Sequence, residues 1–311
     1  MLTYLIIILD DTSVSYCHYK VDRKKQRLIS LENLKAGITF AMKENLNIQF
    51  VYPDYELPKA YKEMVESIDH TKIGPVGCGE NLDMIITESL DFIPNNSKRY
   101  LWRCSLELLA SSKETVANIL PKISRLNVVL TDIPTWKKND FDIYRETLEL
   151  LAANIAEDYQ RGVSVQLNLL TDRFMLDKMN NCNAGDASIT LAPDGCFYIC
   201  PAYYPLSNVG SLKQGLKIPN QQLYRLDHAP ICRKCDAFQC KRCIWMNEQI
   251  TLDCNTPSHE QCVAAHLERN ASRTLLQILE SKHISLEDCY GIEEIDYLDP
   301  FNILNKWNCE M

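Results

Sequence analysis

Between Cys232 and Cys243 the chain reads CRKCDAFQCKRC, four thiols in twelve residues. Five more cysteines flank that run: Cys182, Cys196 and Cys200 before it, Cys254 and Cys262 after it. Thiols at this density must either be tied to one another or grip something, and the rest of the chain decides which. Cys17, Cys78 and Cys104 are scattered over the first 180 residues, and Cys289 and Cys309 trail behind, so nine of fourteen cysteines fall between Cys182 and Cys262. The apolar opening from Met1 to Leu9 has no basic flank and meets Asp10 and Asp11 at once, which reads as a buried strand rather than a secretion signal. No run approaches the roughly 20 apolar residues a membrane span needs. The expectation is a cytoplasmic protein whose thiols are kept reduced, so a disulfide framework explains the cysteines poorly and metal explains them better.

Hydrophobic residues make up 46% of the 311 and charged residues 24%, the balance of a folded chain with room for two domains. The net charge of −8 argues against a general nucleic-acid surface. Up to about residue 172, short apolar runs alternate with amphipathic stretches. Strands are expected at Leu2–Leu9, Asn47–Tyr52, Asp83–Thr87, Tyr100–Ser105, Asn127–Leu130 and Val163–Leu170, several of them apolar throughout, as in a parallel sheet covered on both faces. Tyr144, Leu148, Leu151, Ile155 and Tyr159 recur at spacings of three and four, which predicts a helix over Phe141–Gln160 with Asn139 or Asp140 as its cap. This alternation means βαβ units, hence a partial or complete barrel or an open parallel sheet. The strand ends are polar (Asp10, Asp11, Asp54, Glu88, Asp132, Asp172). Such residues either line the functional face of a βα scaffold or cap the following helices.

The character changes at Asn181, where cysteine, proline, glycine and aromatics replace helical period. We therefore expect a domain of residues 1–178 and a second of 179–311. The second closes with a helix from Thr256 to Ser281, capped by Thr256, and an acidic, aromatic tail. SITLAPDGCFYICP reads as a hairpin turning at Pro193-Asp194-Gly195, with Cys196, Tyr198 and Cys200 on one face. Cys232-x2-Cys235 and Cys240-x2-Cys243 are two knuckles separated by four residues, too short a linker for both to wrap one tetrahedral zinc with ease. Compact runs of this kind share ligands between iron–sulfur clusters. Arg233, Lys234, Lys241 and Arg242 would offset a cluster's negative charge, or belong to a solvated loop. His259, Cys262 and His266 share a helical face and could form a zinc tripod.

Cys182-x12-Gly195-x4-Cys200, then Cys232-x2-Cys235-x4-Cys240-x2-Cys243 and a late cysteine, resembles the SPASM domain, the C-terminal extension of many radical SAM peptide-modifying enzymes. NVGSL at Asn208–Leu212 is similar to the segment such domains place between their halves, although two gaps of the four-cysteine run are each one residue shorter than usual. The resemblance covers about 80 residues. It implies two 4Fe–4S clusters, the nearer held by Cys182, Cys200 and Cys243 with Cys196 as fourth ligand. The farther would be held by Cys232, Cys235, Cys240 and a late cysteine, Cys262 or in its place Cys254. Zinc is the alternative metal.

A radical SAM enzyme also carries a cluster on Cys-x3-Cys-x-aromatic-Cys after its first strand. Here Tyr16-Cys17 matches the end of that motif, but Val14 and Asp10 stand where the other two cysteines would be. Valine offers no ligand atom and a carboxylate is a hard donor ill-suited to the role. The implied fold is therefore α/β: a degenerate or partial (β/α) barrel-like N-terminal domain, then a cysteine-rich SPASM-like domain with a C-terminal helix. CRKCDAFQCKRCIW and NTPSHEQCVAAHLERNASR are similar to the CXXX-repeat peptide maturase group, which lacks the radical SAM motif. That resemblance implies an accessory protein in the maturation of a ribosomally synthesised peptide, with a precursor peptide and an intact radical SAM maturase as partners and no SAM site of its own. Two alternatives stand beside it: an enzyme acting on a peptide through an open-site auxiliary cluster, and a zinc-stabilised binding module. A peptide would add to an exposed strand edge, for which Leu2–Leu9 and the 188–200 hairpin are the candidates.

Overall fold

The computed structural model describes residues 2–20, 25–91, 98–286 and 289–292. Along the chain lie β1 (Tyr4–Ile8), α1 (Leu31–Lys43), β2 (Asn47–Val51), α2 (Lys59–Val65), β3 (Thr71–Pro75), β4 (Met84–Thr87), β5 (Arg99–Cys104), α3 (Leu106–Ser111) and α4 (Lys113–Ile119). Then follow β6 (Arg125–Leu130), α5 (Lys138–Gln160), β7 (Ser188–Leu191), β8 (Cys196–Tyr198), β9 (Asn208–Ser211), β10 (Gly215–Leu216), α6 (Ile244–Thr251) and α7 (His259–Ser281). They form two compact units, each assembled from two chain segments. One joins the described residues up to Thr87 with Asn183–Arg225; the other joins Glu88–Cys182 with the described residues from Leu226 onward. The division expected at residue 178 runs along the sequence, whereas each of these units takes residues from both sides of it.

The first unit is a sheet in the order β10-β9-β8-β7-β1-β2-β3-β4. The pairs β7–β1, β1–β2, β2–β3 and β3–β4 are parallel, and β8, β9 and β10 add on antiparallel. β1 lies inside the sheet, with Ile7 opposite Phe50 on one side and Leu191 on the other. That position explains its unbroken apolar run, since an interior parallel strand is covered on both faces. Helix α1 starts at Ser30, whose hydroxyl accepts the Asn33 N–H at 3.1 Å, and packs on the sheet at Gly37. A Cβ there would sit 2.3 Å from Leu191 Cδ2, so the close approach requires glycine. The turn between β7 and β8 uses Gly195 at φ +79°.

The second unit is built on the parallel pair β5–β6, in register from Arg99 opposite Arg125 to Cys104 opposite Leu130, and on two long helices. α5 buries Tyr144, Leu148, Leu151 and Ile155, and α7 buries Val263, Ala271, Leu275 and Leu279. Tyr144 Oη donates to Glu268 Oε1 at 2.7 Å and Lys282 Nζ donates to Gln160 Oε1 at 2.9 Å. The nearly constant sequence offset, 124 and 122, means that α5 and the α7 end run in the same direction.

Several expectations change. Val163–Leu170 is not a strand. Only Leu167 bridges to Leu126, and the Asn168 amide takes the place of the next backbone rung, accepting Val128 N–H at 2.7 Å and donating to Val128 O at 2.9 Å. The chain then turns, with Thr171 N–H reaching back to Leu167 O. β3, TKIGP, was not expected, because its lysine, glycine and proline hide a strand that pairs on both sides. Asp140 does cap α5, but from the third helical position, accepting the Lys137 N–H at 2.7 Å. α7 starts later than expected, at His259, with Ser258 rather than Thr256 as cap. Neither β1 nor the β7–β8 hairpin is a sheet edge, since β1 is paired on both sides and β9 covers β8. The tail beyond residue 292, including Cys309, lies outside the described residues.

Candidate metal centre

The cysteine loop of the second unit is two short turns placed end to end. Cys235 N–H closes on Cys232 O at 3.1 Å, and Cys240 N–H closes on Ala237 O at 3.0 Å. Three groups pin this loop in place. Asp236 Oδ1 pairs with Arg269 Nη1 of α7 at 2.5 Å, with both side chains at most 5% exposed. Arg173 Nε donates to Asp236 O at 3.0 Å while its guanidinium lies 4.3 Å from the centre of the Phe238 ring. Gln239 Nε2 donates to Ala265 O at 2.6 Å. The preceding segment is stitched on from the other side by Asn180 N–H to Phe238 O and Cys182 N–H to Lys241 O. A buried ion pair is expensive to break from one side, so this loop is held rigidly against α7.

Between loop and helix is a cavity of about 20 Å³. That exceeds the room one water needs, in an interior that otherwise packs nearly without voids. Cys232, Cys235 and Cys240 enter it from the loop, and Cys262 and His266 enter from α7, one helical turn apart. Its walls include Met179, Ala237, Pro257 and Ala265. Four thiols converging on an apolar hole are the donor set of a thiophilic metal group. Backbone N–H groups already face the sulfurs: Ala237 N lies 3.4 Å from Cys235 Sγ and Arg242 N lies 3.4 Å from Cys240 Sγ. Burial pushes the Cys232 thiol up to about 11, against the lowering pull of Arg242, and pushes Cys240 up further. Such thiols hold their protons at neutral pH until a cation displaces them. Of the four basic residues between the cysteines, Arg242 is 1% exposed and lines the cavity, its Nη1 on Asn255 Oδ1 at 2.8 Å. Arg233, Lys234 and Lys241 are exposed.

Among the described residues, the trio whose ligand atoms lie mutually within 4.8 Å is Cys235, Asp236 and His266; no three of the four thiols meet that distance. His259 stands apart from the wall, its ring 6.0 Å from that of Phe141. Cys254 is half-buried and is not in the wall; its carbonyl accepts the Asn247 amide. Cys196 and Cys200 belong to the first unit, Cys182 and Cys243 to the second. Cys196 packs beside the buried cluster of Ile8, Ala192, Tyr198 and Tyr204.

The exit of β1 in the first unit is polar and closed on itself. Asp10 is fully buried, and its Oδ1 accepts Thr12 N–H at 2.8 Å and the Thr12 hydroxyl at 2.6 Å, while Oδ2 accepts Tyr55 Oη at 3.0 Å. Ser13 Oγ accepts Asp10 N–H and donates to Val51 O. Asp11 pairs with Arg27 at 2.9 Å and with the Tyr204 hydroxyl. Burial, then the carboxylate contacts, raise the Tyr55 and Tyr204 phenols, so both remain donors. Sequence reasoning found the aspartates but not their tyrosine and arginine partners, which arrive from distant segments. Arg269 and Glu268 were also missed. Arg269 falls seven residues after Cys262, on the same buried stripe of α7, and a charged residue in that register was the available signal.

The class these features define is a mixed α/β fold with a largely parallel sheet and a cysteine loop held against a long helix. A structure of polyhistidine-tagged anSMEcpe with bound AdoMet is similar over 92% of this chain and 100% of that one, with a TM-score of 0.55 at 13% identity. A structure of native anSMEcpe with bound AdoMet and Cp18Cys peptide is similar over 90% and 99%, with a TM-score of 0.53 at 14% identity. At these identities the likeness shows the fold alone. No protein-family model matches the chain, and no curated protein does.

Proposed function

We propose that this protein is an iron–sulfur accessory factor in the maturation of a ribosomally synthesised peptide, and that it works beside an intact radical SAM enzyme without cleaving SAM itself. The observation that carries the accessory reading is the exit of β1. Asp10 occupies the place of a cluster cysteine, and both its oxygens are spent on Thr12 and Tyr55. Val14 supplies no donor, leaving Cys17 as the only thiol of the motif. In this reading the parallel strands are a degenerate barrel whose catalytic mouth has become a structural polar network.

The farther 4Fe–4S cluster is assigned to Cys232, Cys235, Cys240 and Cys262, which share the cavity. Bound clusters would supply electron transfer or a rigid scaffold; the chain's own residues bind them, exclude water and set their charge balance through Arg242. The spread of the four thiols supports a cluster over a single zinc, whose roughly 2.3 Å bonds would draw its sulfurs to about 3.8 Å of one another. Zinc remains the second reading because Cys235, Asp236 and His266 lie close enough to share an ion, although Arg269 already holds one Asp236 oxygen. Peptide binding is supported by the related fold of anSMEcpe with its Cp18Cys peptide.

The test is anaerobic purification with metal analysis, followed by incubation with SAM and a strong reductant. The expected result is iron and labile sulfide, absorbance near 400 nm, and no 5′-deoxyadenosine from the protein alone. Zinc without iron would overturn the cluster assignment, and 5′-deoxyadenosine from the pure protein would overturn the accessory reading.

A further inference from the structure

His266 is 7% exposed, lines the thiol cavity, and brings its Nε2 to 3.3 Å from Cys235 Sγ. It stands one turn beyond Cys262 on α7, so helix and loop meet at this contact. A metal-bound cysteine sulfur carries no proton and can only accept. In the loaded protein the hydrogen of this contact must therefore sit on Nε2, whether the imidazole is neutral or cationic. Cys235 Sγ then receives two donors, His266 Nε2–H and Ala237 N–H. The second is backbone and fixed by the loop; the first is a side chain and can be removed.

We propose that His266 is a positioning residue for the farther cluster: it donates to Cys235 Sγ, orients that ligand, and raises the cluster's reduction potential. This rests on the iron–sulfur reading of the cavity. Adding an electron to a cluster increases the negative charge on its ligand sulfurs, and a donor aimed at one of them favours the reduced form. Helix-borne donors are well suited to this role, because α7 is pinned to the same loop by Arg269–Asp236 and by Gln239–Ala265.

The experiment compares the full-length, anaerobically reconstituted wild type with His266→Leu and His266→Gln. Iron and sulfide are counted first, then a potentiometric titration is followed by electron paramagnetic resonance. Coupling of an exchangeable proton to the reduced cluster is measured in H2O and D2O. The expected result is unchanged iron in all three, one reduction transition moved to lower potential in the leucine variant with loss of one exchangeable coupling while that of the Ala237 amide stays, and recovery of both potential and coupling in the glutamine variant, whose amide donates from a similar place. A leucine variant with full iron, unmoved potential and the same number of exchangeable couplings as the wild type would overturn the inference. So would loss of metal in both variants, which would make His266 a ligand. A wild type carrying no iron would sink the underlying cluster reading, and the metal count reports that before any titration begins.

Discussion

Glu268 stands in the α5–α7 interface, half-buried, accepting from Tyr144 Oη at 2.7 Å and from Gln239 Nε2 at 3.4 Å. Burial disfavours its charge more than those two donors favour it, and the carboxyl is pushed up to about 7. An unfolded glutamate titrates near about 4.3, so the folded protein holds a proton that the unfolded chain releases. The contribution to stability is complete below the unfolded value and is lost as pH rises through the folded one. The full difference is about 3–4 kcal/mol. About 1 kcal/mol is already gone at pH 5, which leaves about 2–3 kcal/mol to disappear between pH 5 and pH 8. Glu268→Gln mimics the protonated acid and keeps the Tyr144 contact. In urea titrations of both proteins at pH 5 and pH 8, the wild type should lose that much more stability than the variant, about 1 M in midpoint at an ordinary denaturant slope. Equal losses in the two proteins would refute the reasoning. They would mean that Glu268 is ionised in the folded state, and that Tyr144 and Gln239 outweigh burial.

Three further outcomes are expected. Arg269→Met strands Asp236 in the interior and should cost about 3–5 kcal/mol by denaturant unfolding, whereas adding Asp236→Asn to it should recover a large part of the loss. Cys262→Ser should lower bound iron in anaerobically purified protein while Cys254→Ser leaves it at the wild-type level, because only the former lines the cavity; equal effects would return Cys254 to the ligand set. Gly37→Ala would force a methyl against Leu191 in a fully packed core and should lower stability by about 1–3 kcal/mol in the same unfolding assay.

What the sequence made legible follows from how local each feature is. β1, β2, β4, β5 and β6 were readable because a buried parallel strand writes itself as an apolar run, and α5 because its stripe of Tyr144, Leu148, Leu151 and Ile155 keeps helical period. β3 was not readable, since TKIGP is held in the sheet by its neighbours and not by its own side chains. Val163–Leu170 was misread for the opposite reason. It is apolar enough for a strand, but Asn168 and Thr171 turn their own polar groups onto the backbone and end the pairing after one bridge. In the candidate site, the grouping of Cys232, Cys235 and Cys240 was legible from spacing. Cys262, read from the sequence ahead of Cys254 as the late cysteine, reaches the same cavity wall because α7 packs against the loop. The partners of Asp10, Asp11 and Asp236 were invisible, because Tyr55, Tyr204 and Arg269 reach them only through tertiary structure.

The two polar centres, at the exit of β1 and at the cysteine loop, answer the same physical demand in opposite ways. A carboxylate at the end of an interior strand is costly unless its oxygens are filled, and at Asp10 they are filled by hydrogen-bond donors of the chain itself. At the cysteine loop Arg269 pairs with Asp236 Oδ1 and Arg173 donates to the Asp236 carbonyl, so these groups hold the backbone still. The thiols, which need no partner when protonated, are left facing a hole that the fold does not close. The carboxylate at the end of β1 is thus satisfied within the chain, while the late cysteines of the loop surround open space.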